Sequence, residues 1–198
     1  MKSVKLQKKL VLSALFAALV CVGCFIQIPL PGGVPIVIQD MMAMLSGLLL
    51  GPIFGGLAVL LFLLLGAIGL PVFTGKAGVH VLLAGPTSGF LWGYLLAAVL
   101  GGTILALFER AKKSRAADGE KADGSNIARC LVTTLAALLA TTVLFVLGIA
   151  IGMRIINVGI EKALAIFLIP FIPGNIIKLI LMVVLTKKLG PAIKAYTE

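Results

Sequence analysis

The sequence predicts an all-α polytopic membrane protein with six transmembrane helices, residues 1–198 forming one integral membrane domain. Three observations carry this. Hydrophobic residues make up 61% of the chain and charged residues only 12%, far from the balance of a soluble globular domain. Several apolar runs reach the roughly 20 residues that a helix needs to cross the hydrocarbon core. Finally, the Lys and Arg residues fall into three groups that separate those runs.

The first span, Leu10 to Leu30, follows Lys2, Lys5, Lys8 and Lys9. Its apolar run is longer than that of a signal peptide and lacks a clear small-residue cleavage site, so it is expected to be retained as the first helix. Cys21 and Cys24 lie three residues apart inside it, and Cys130 lies at the start of the fifth span. No His or carboxylate joins them, so packing is expected, not a metal site or a disulfide. Pro29 to Pro35, rich in Pro and Gly, reads as an outer loop. The next apolar stretch, Met41 to Phe73, is too long for one crossing and is interrupted by Gly51, Pro52, Gly55 and Gly56, which suggests a helical hairpin. The segment from Gly69 to Ser88 is dense in Gly and Pro; such backbone is tolerated at membrane depth only where protein or a water-filled cavity surrounds it, so it should fold over the outer mouth. Three further spans follow: Ser88 to Phe108, Ile127 to Met153 and Ala163 to Thr186. Glu109 to Arg129, mixed in charge and rich in Ala, Gly and Ser, reads as a mobile connector on the cytoplasmic side.

Charge settles the hairpin. Cytoplasmic loops near membrane spans accumulate Lys and Arg, so the N-terminal lysines, the 109–129 group and Lys187, Lys188 and Lys194 should share one side. That requires an even number of crossings before residue 109, so the 41–73 stretch must cross twice. Both termini then lie in the cytoplasm of a cell-membrane protein. Only Lys76, Arg154 and Lys162 fall in outer segments, against thirteen basic residues inside. The net charge of +10 is thus mostly topology, and no nucleic-acid partner is expected.

Small residues mark where helices approach. Gly89, Gly93, Ala97 and Gly101 recur every fourth residue on one face of the fourth span, which should meet another helix. Ala14 and Ala18 form a similar pair in the first span, open either to internal packing or to docking. With no tandem repeat and no inverted-repeat pair of the secondary-transporter kind, the chain looks like a subunit.

Lys178 is the most informative single residue, because a Lys near the centre of an apolar helix costs about 2.5–3.5 kcal/mol on insertion scales. It lies about 13 Å from the inner end of its helix, in the outer half of the membrane. Snorkelling, an internal ion pair and a counter-ion for an anionic substrate all remain open. Asn175, three residues before it, can either add hydrogen bonds or cap the helix. Asp40, next to Gln39 after the outer loop, is a partner for Lys178 or a solvated carboxylate. His80 is either a hydrogen-bonded structural residue or a ligand contact. Trp92 and Tyr94 can stack on a bound ring or pack at the membrane interface. No Ser/His/Asp set, metal cluster or phosphate loop is present, so an enzyme is not expected and neither is a cofactor.

Gly66-Ala-Ile-Gly-Leu-Pro-Val-Phe73 followed by Gly85-Pro-Thr-Ser-Gly-Phe-Leu-Trp-Gly-Tyr94 resembles the signature of the BioY family, the biotin-specific S components of energy-coupling-factor (ECF) transporters. Gln39 with the Leu-rich Leu45 to Gly51 resembles the start of that family's second helix. Pro170-Phe-Ile-Pro-Gly-Asn-Ile-Ile-Lys178 resembles its Pro-Phe-x-Pro-Gly-Asp-x-x-Lys motif. The resemblance spans nearly the whole chain except the connector and implies an S-component-like fold that binds biotin near the outer face. It also implies a membrane coupling protein with two cytoplasmic ATPases as partners, docked on Ala14 and Ala18. Lys178, Asn175, Gln39, Asp40, Phe73, His80, Thr87, Trp92 and Tyr94 are the substrate-site residues it suggests. Two positions depart from the pattern: Asn175 stands where the family usually has Asp, and Phe90 where Tyr is common. A solitary biotin carrier, an S component for another vitamin and a structural membrane subunit without a ligand are the competing expectations.

Overall fold

A computed structural model gives the fold and describes residues 2–28, 36–117 and 125–197. The proposed outer loop from Pro29 to Pro35, and residues 118–124 of the proposed connector, lie outside the described residues. The elements in order are α1 (Lys2–Gly23), β1 (Gln27–Ile28), β2 (Ile36–Val37), α2 (Gln39–Ala67), α3 (Val79–Ala84), α4 (Ser88–Ala117), α5 (Ser125–Ile155), α6 (Ile160–Phe167), a 3-10 turn (Ile169–Phe171) and α7 (Ile172–Thr197).

The first helix stops at Gly23, short of the apolar run's end at Leu30. Ile28 precedes Pro29, and a residue before proline is pushed out of the helical region. The chain extends instead, and Gln27–Ile28 pairs antiparallel with Ile36–Val37.

The 41–73 stretch does turn back on itself. Gly51 adopts φ 81° and ψ 177°, a conformation essentially closed to residues with a Cβ, and the chain reverses there. Beyond it the two limbs of α2 touch: the Ser46 hydroxyl donates to Ala43 O at 2.7 Å and to Gly55 O at 3.1 Å. A side chain at Gly55 would meet the Gly47 backbone. Five described helices are long and apolar enough to cross a membrane; the doubling of α2 makes six crossing segments.

The last span is not the single helix expected over 163–186. Pro170 and Pro173 cannot donate backbone hydrogen bonds, and α6, the 3-10 turn and α7 replace it. Pro173 is accommodated in the first turn of α7, where its N–H would be unpaired anyway. Much of the 109–129 connector is helical: α4 continues to Ala117 and α5 begins at Ser125. Ala, Lys, Arg and Glu are strong helix formers, and Arg129 Nε reaches Glu109 Oε1 at 3.0 Å.

α4 is the centre of the bundle. Its small-residue face meets α5, as expected: a Cβ on Gly89 would touch Leu147 O at 2.5 Å, and one on Gly93 would touch Leu144. Its other side meets the α2 turn, where Gly102 faces Gly47 O, Pro52 and Gly51. α7 is held by a narrow buried stripe, Lys178, Met182 and Thr186. Its other faces expose Ile172, Ile176, Ile177, Ile180 and Leu181, suited to lipid.

The three basic groups meet at one end. Lys9 Nζ sits over the Phe54 ring, 5.3 Å from its centroid, and Lys8 Nζ over the Tyr196 ring at 5.1 Å. The Gly51 turn lies at this same end, so the parity argument from charge and the reversal agree.

Candidate small-molecule site

At the end away from the basic groups, the start of α2 carries Gln39 and Asp40, both buried. Asp40 is not a solvated loop carboxylate. Lys178 Nζ donates to both of its oxygens, each at 2.8 Å, and Asp40 Oδ1 also accepts the Met41 backbone N–H at 2.8 Å. Asp40 lies in the first turn of α2, where the helix dipole favours negative charge. Of the three readings of Lys178, the geometry shows the ion pair: the residue is buried, 7% exposed, and does not snorkel.

Beside this pair is an enclosed cavity of about 30 Å³ lined by Asp40, Lys178, Thr74, Thr87, Tyr94 and a wall of Phe90, Phe145 and Phe171, with Val37, Leu91 and Leu144 completing it. The aromatic wall is packed edge to face, Phe90 to Phe145 at 5.7 Å and Phe145 to Phe171 at 5.9 Å between ring centroids. Thr74 is presented by a tight turn: Phe73 and Lys76 exchange backbone hydrogen bonds at 2.9 and 3.0 Å. The two residues between them, Thr74 and Gly75, have φ of 54° and 80°, as a two-residue hairpin turn with both central φ values positive requires.

A larger groove of about 620 Å³ runs between α5, α6 and α7, lined by Ile149, Met153, Leu164, Leu168, Ile176 and Asn175 among others. It is apolar and open along its side, which in a bilayer is a lipid contact. The smaller cavity has the convergent polar groups that fix a ligand's orientation and is the better candidate.

Four of the residues singled out in the sequence therefore line the cavity: Asp40, Thr87, Tyr94 and Lys178. The others lie elsewhere. Gln39 is turned away; its Nε2 donates to Val20 O at 3.1 Å and Val72 O at 2.8 Å, tying the end of α1 and the 71–74 segment to the start of α2. Phe73 packs edge to face on Phe62 at 5.5 Å and against Gly66. Trp92 Nε1 donates to Leu82 O at 3.2 Å, and His80 is exposed. Asn175 is inside α7 and not a cap, and it faces the larger groove. Thr74, Phe145, Phe171 and Leu144 were not foreseen. Gly75 after Thr74 was a turn signal, and Phe171 stood in a quoted motif; Leu144 and Phe145 sit in an unbroken apolar run that marks no position.

Gln39 is expected to matter through what it ties together. A Gln39→Leu variant, which leaves two buried carbonyls without their donor, should lose about 1–3 kcal/mol of stability. Thermal unfolding in detergent reads this directly, and an unchanged midpoint would mean the carbonyls find other donors.

A six-crossing bundle that encloses an ion pair and an aromatic wall at one end defines an integral membrane protein with a candidate small-molecule site there. A family model described as the BioY family matches residues 1–195. The biotin transporter BioY of Thermotoga maritima is 32% identical over 182 residues, covering 92% of this chain and 95% of that protein. The biotin transporter BioY of Rhodobacter capsulatus is 35% identical over 184 residues, covering 88% and 89%. A crystal structure of the S-component for biotin from an ECF-type ABC transporter aligns with a TM-score of 0.76 at 29% identity, covering 96% of each chain. The chain belongs to the BioY family, a family of transporter components and not of enzymes.

Proposed function

We propose that this chain is the biotin-capture subunit of an ECF-type transporter, binding the vitamin beside Lys178 and Asp40. The observation that carries this is the buried ion pair under the Tyr94, Phe90, Phe145 and Phe171 wall. Two opposite charges taken out of water are costly to keep for stability alone, whereas a ligand bearing a carboxylate and a polar ring can exchange into their hydrogen bonds. Aromatic faces suit its fused rings and alkyl chain. The cavity is about a tenth of the smallest ordinary ligand pocket, so binding requires the wall to open around the ion pair.

The basic end faces the cytoplasm by the positive-inside rule, which puts both termini there and the site near the outer face. A membrane coupling protein and two ATPases complete the transporter. Ala14 and Ala18 are both exposed on α1, and this small-residue face is the one offered to the coupling protein.

Isothermal titration of the detergent-purified protein with biotin, thiamine and riboflavin tests the reading. Saturable binding of biotin alone is the expected result. No binding to folded protein would sink the capture role and leave a structural membrane subunit; binding of another vitamin instead would reassign the substrate.

A further inference from the structure

The basic end contains a second cavity, of about 360 Å³, lined by residues of α1, both limbs' junction in α2, α4, α5 and α7. Its polar lining is Lys9, Arg129, Lys194, Glu109, Thr186 and Thr197, and its apolar lining includes Leu48, Leu49, Leu50, Leu105, Ala106 and Ile193. Three cations thus face a single carboxylate, whose Oε1 is paired in charge with Arg129 Nε at 3.0 Å but accepts no hydrogen bond. Arg129 keeps further N–H donors in its planar fork.

Thr186 supplies an independent observation. Thr103, Thr133, Thr134, Thr141, Thr142 and Thr197 each donate a hydroxyl hydrogen bond to the carbonyl four residues earlier in their helix. Thr186 is only 2% exposed, yet its hydroxyl has no hydrogen-bond partner. A buried hydroxyl left unpaired carries a desolvation cost. It lies on the wall of this cavity and, with Arg129, of an adjoining one of about 190 Å³. An oxygen-rich anion seated there would accept from it.

We propose that this cavity binds the phosphate of an anionic phospholipid. The headgroup sits among Lys9, Arg129, Lys194 and the Thr186 hydroxyl, and the glycerol and first acyl carbons lie on the half-buried Leu49, Leu50 and Ile193. The mixed lining selects an amphiphile: a free anion would use the charges and leave the leucines wet. The depth also fits, because the cavity lies where the basic groups place the membrane–water boundary, and basic pockets between transmembrane helices are suited to anionic headgroups. None of these residues lines the Lys178 site, so the proposal stands apart from biotin capture.

The test is native mass spectrometry of delipidated protein titrated with dioleoylphosphatidylglycerol or dioleoylphosphatidylcholine, with inorganic phosphate as a third arm. Preferential phosphatidylglycerol adducts are expected, weakened about fivefold by Lys194→Gln and also weakened by Thr186→Val, with circular dichroism and biotin titration unchanged in both variants. Equal adducts for the two lipids, or adducts untouched by both substitutions, would overturn the site. Phosphate that displaces the lipid at millimolar concentration and stabilises the protein equally would assign the anion to solution and overturn the lipid as its source.

Discussion

Lys178→Met protein is expected to melt far below the parent and to lose biotin binding, whereas the Asp40→Asn/Lys178→Met double variant regains most of the stability and none of the binding. Removing one partner strands the other: Asp40 is 5% exposed, and both of its oxygens are held by Lys178 at 2.8 Å. Breaking a buried pair in this way costs about 3–5 kcal/mol, while replacing both partners with neutral groups of similar volume is often close to neutral. Thermal unfolding and titration calorimetry on the two variants separate the structural and ligand-binding roles. Biotin binding by the double variant at parental affinity would show that the pair only holds α7 in place, and the assignment of Lys178 to the substrate would fall.

The second large effect is expected at Gly47. A Cβ there would overlap the Ala98 carbonyl and lie 2.8 Å from its Cα. The obstacle is α4 backbone, which no rotamer change can move aside. Gly102 and Gly55 are closed as well: a Cβ on Gly102 would lie 2.6 Å from Gly47 O, and one on Gly55 2.6 Å from Gly47 N. These three glycines let the two limbs of α2 and the middle of α4 pack backbone to backbone. Overpacking costs typically about 1–3 kcal/mol where side chains can yield, so Gly47→Ala should cost at least that and reduce the monodisperse fraction in size-exclusion chromatography. Gly101 is the control: it lies inside α4 and a Cβ there meets nothing closer than 3.5 Å, so Gly101→Ala should be no less stable than the parent. A Gly47→Ala protein as stable as this control would contradict the close packing of α2 on α4.

The helical class and the doubling of α2 were legible because they depend on quantities summed along the chain, namely apolar length and the side on which basic residues fall. The face of α4 that meets α5 was legible for a related reason: Gly89, Gly93 and Gly101 repeat at the helical period. The ends of elements were less so. α1 stops at Gly23 with apolar residues still to follow, and the last span breaks at Pro170, where proline geometry overrides apolar composition; a hydropathy window registers neither. The ion pair was a candidate and no more, since 138 residues separate Asp40 from Lys178 and nothing local distinguishes a buried carboxylate from a wet one. Gln39 looked like a ligand contact for want of any sign that two backbone carbonyls, on α1 and on the 71–74 segment, needed its amide. Phe145 carries no mark in a run that is apolar throughout.

The buried stripe of α7 begins with Lys178 in the outer pocket and ends with Thr186 in the basal cavity, two turns apart. No proline or glycine interrupts the helix between them, and the rise over those eight residues is about 12 Å. α7 is therefore one continuous helix that gives a buried residue to each compartment, with Met182 packed between them. The floor of one compartment and the wall of the other are thus consecutive turns of a single helix, with no loop between them.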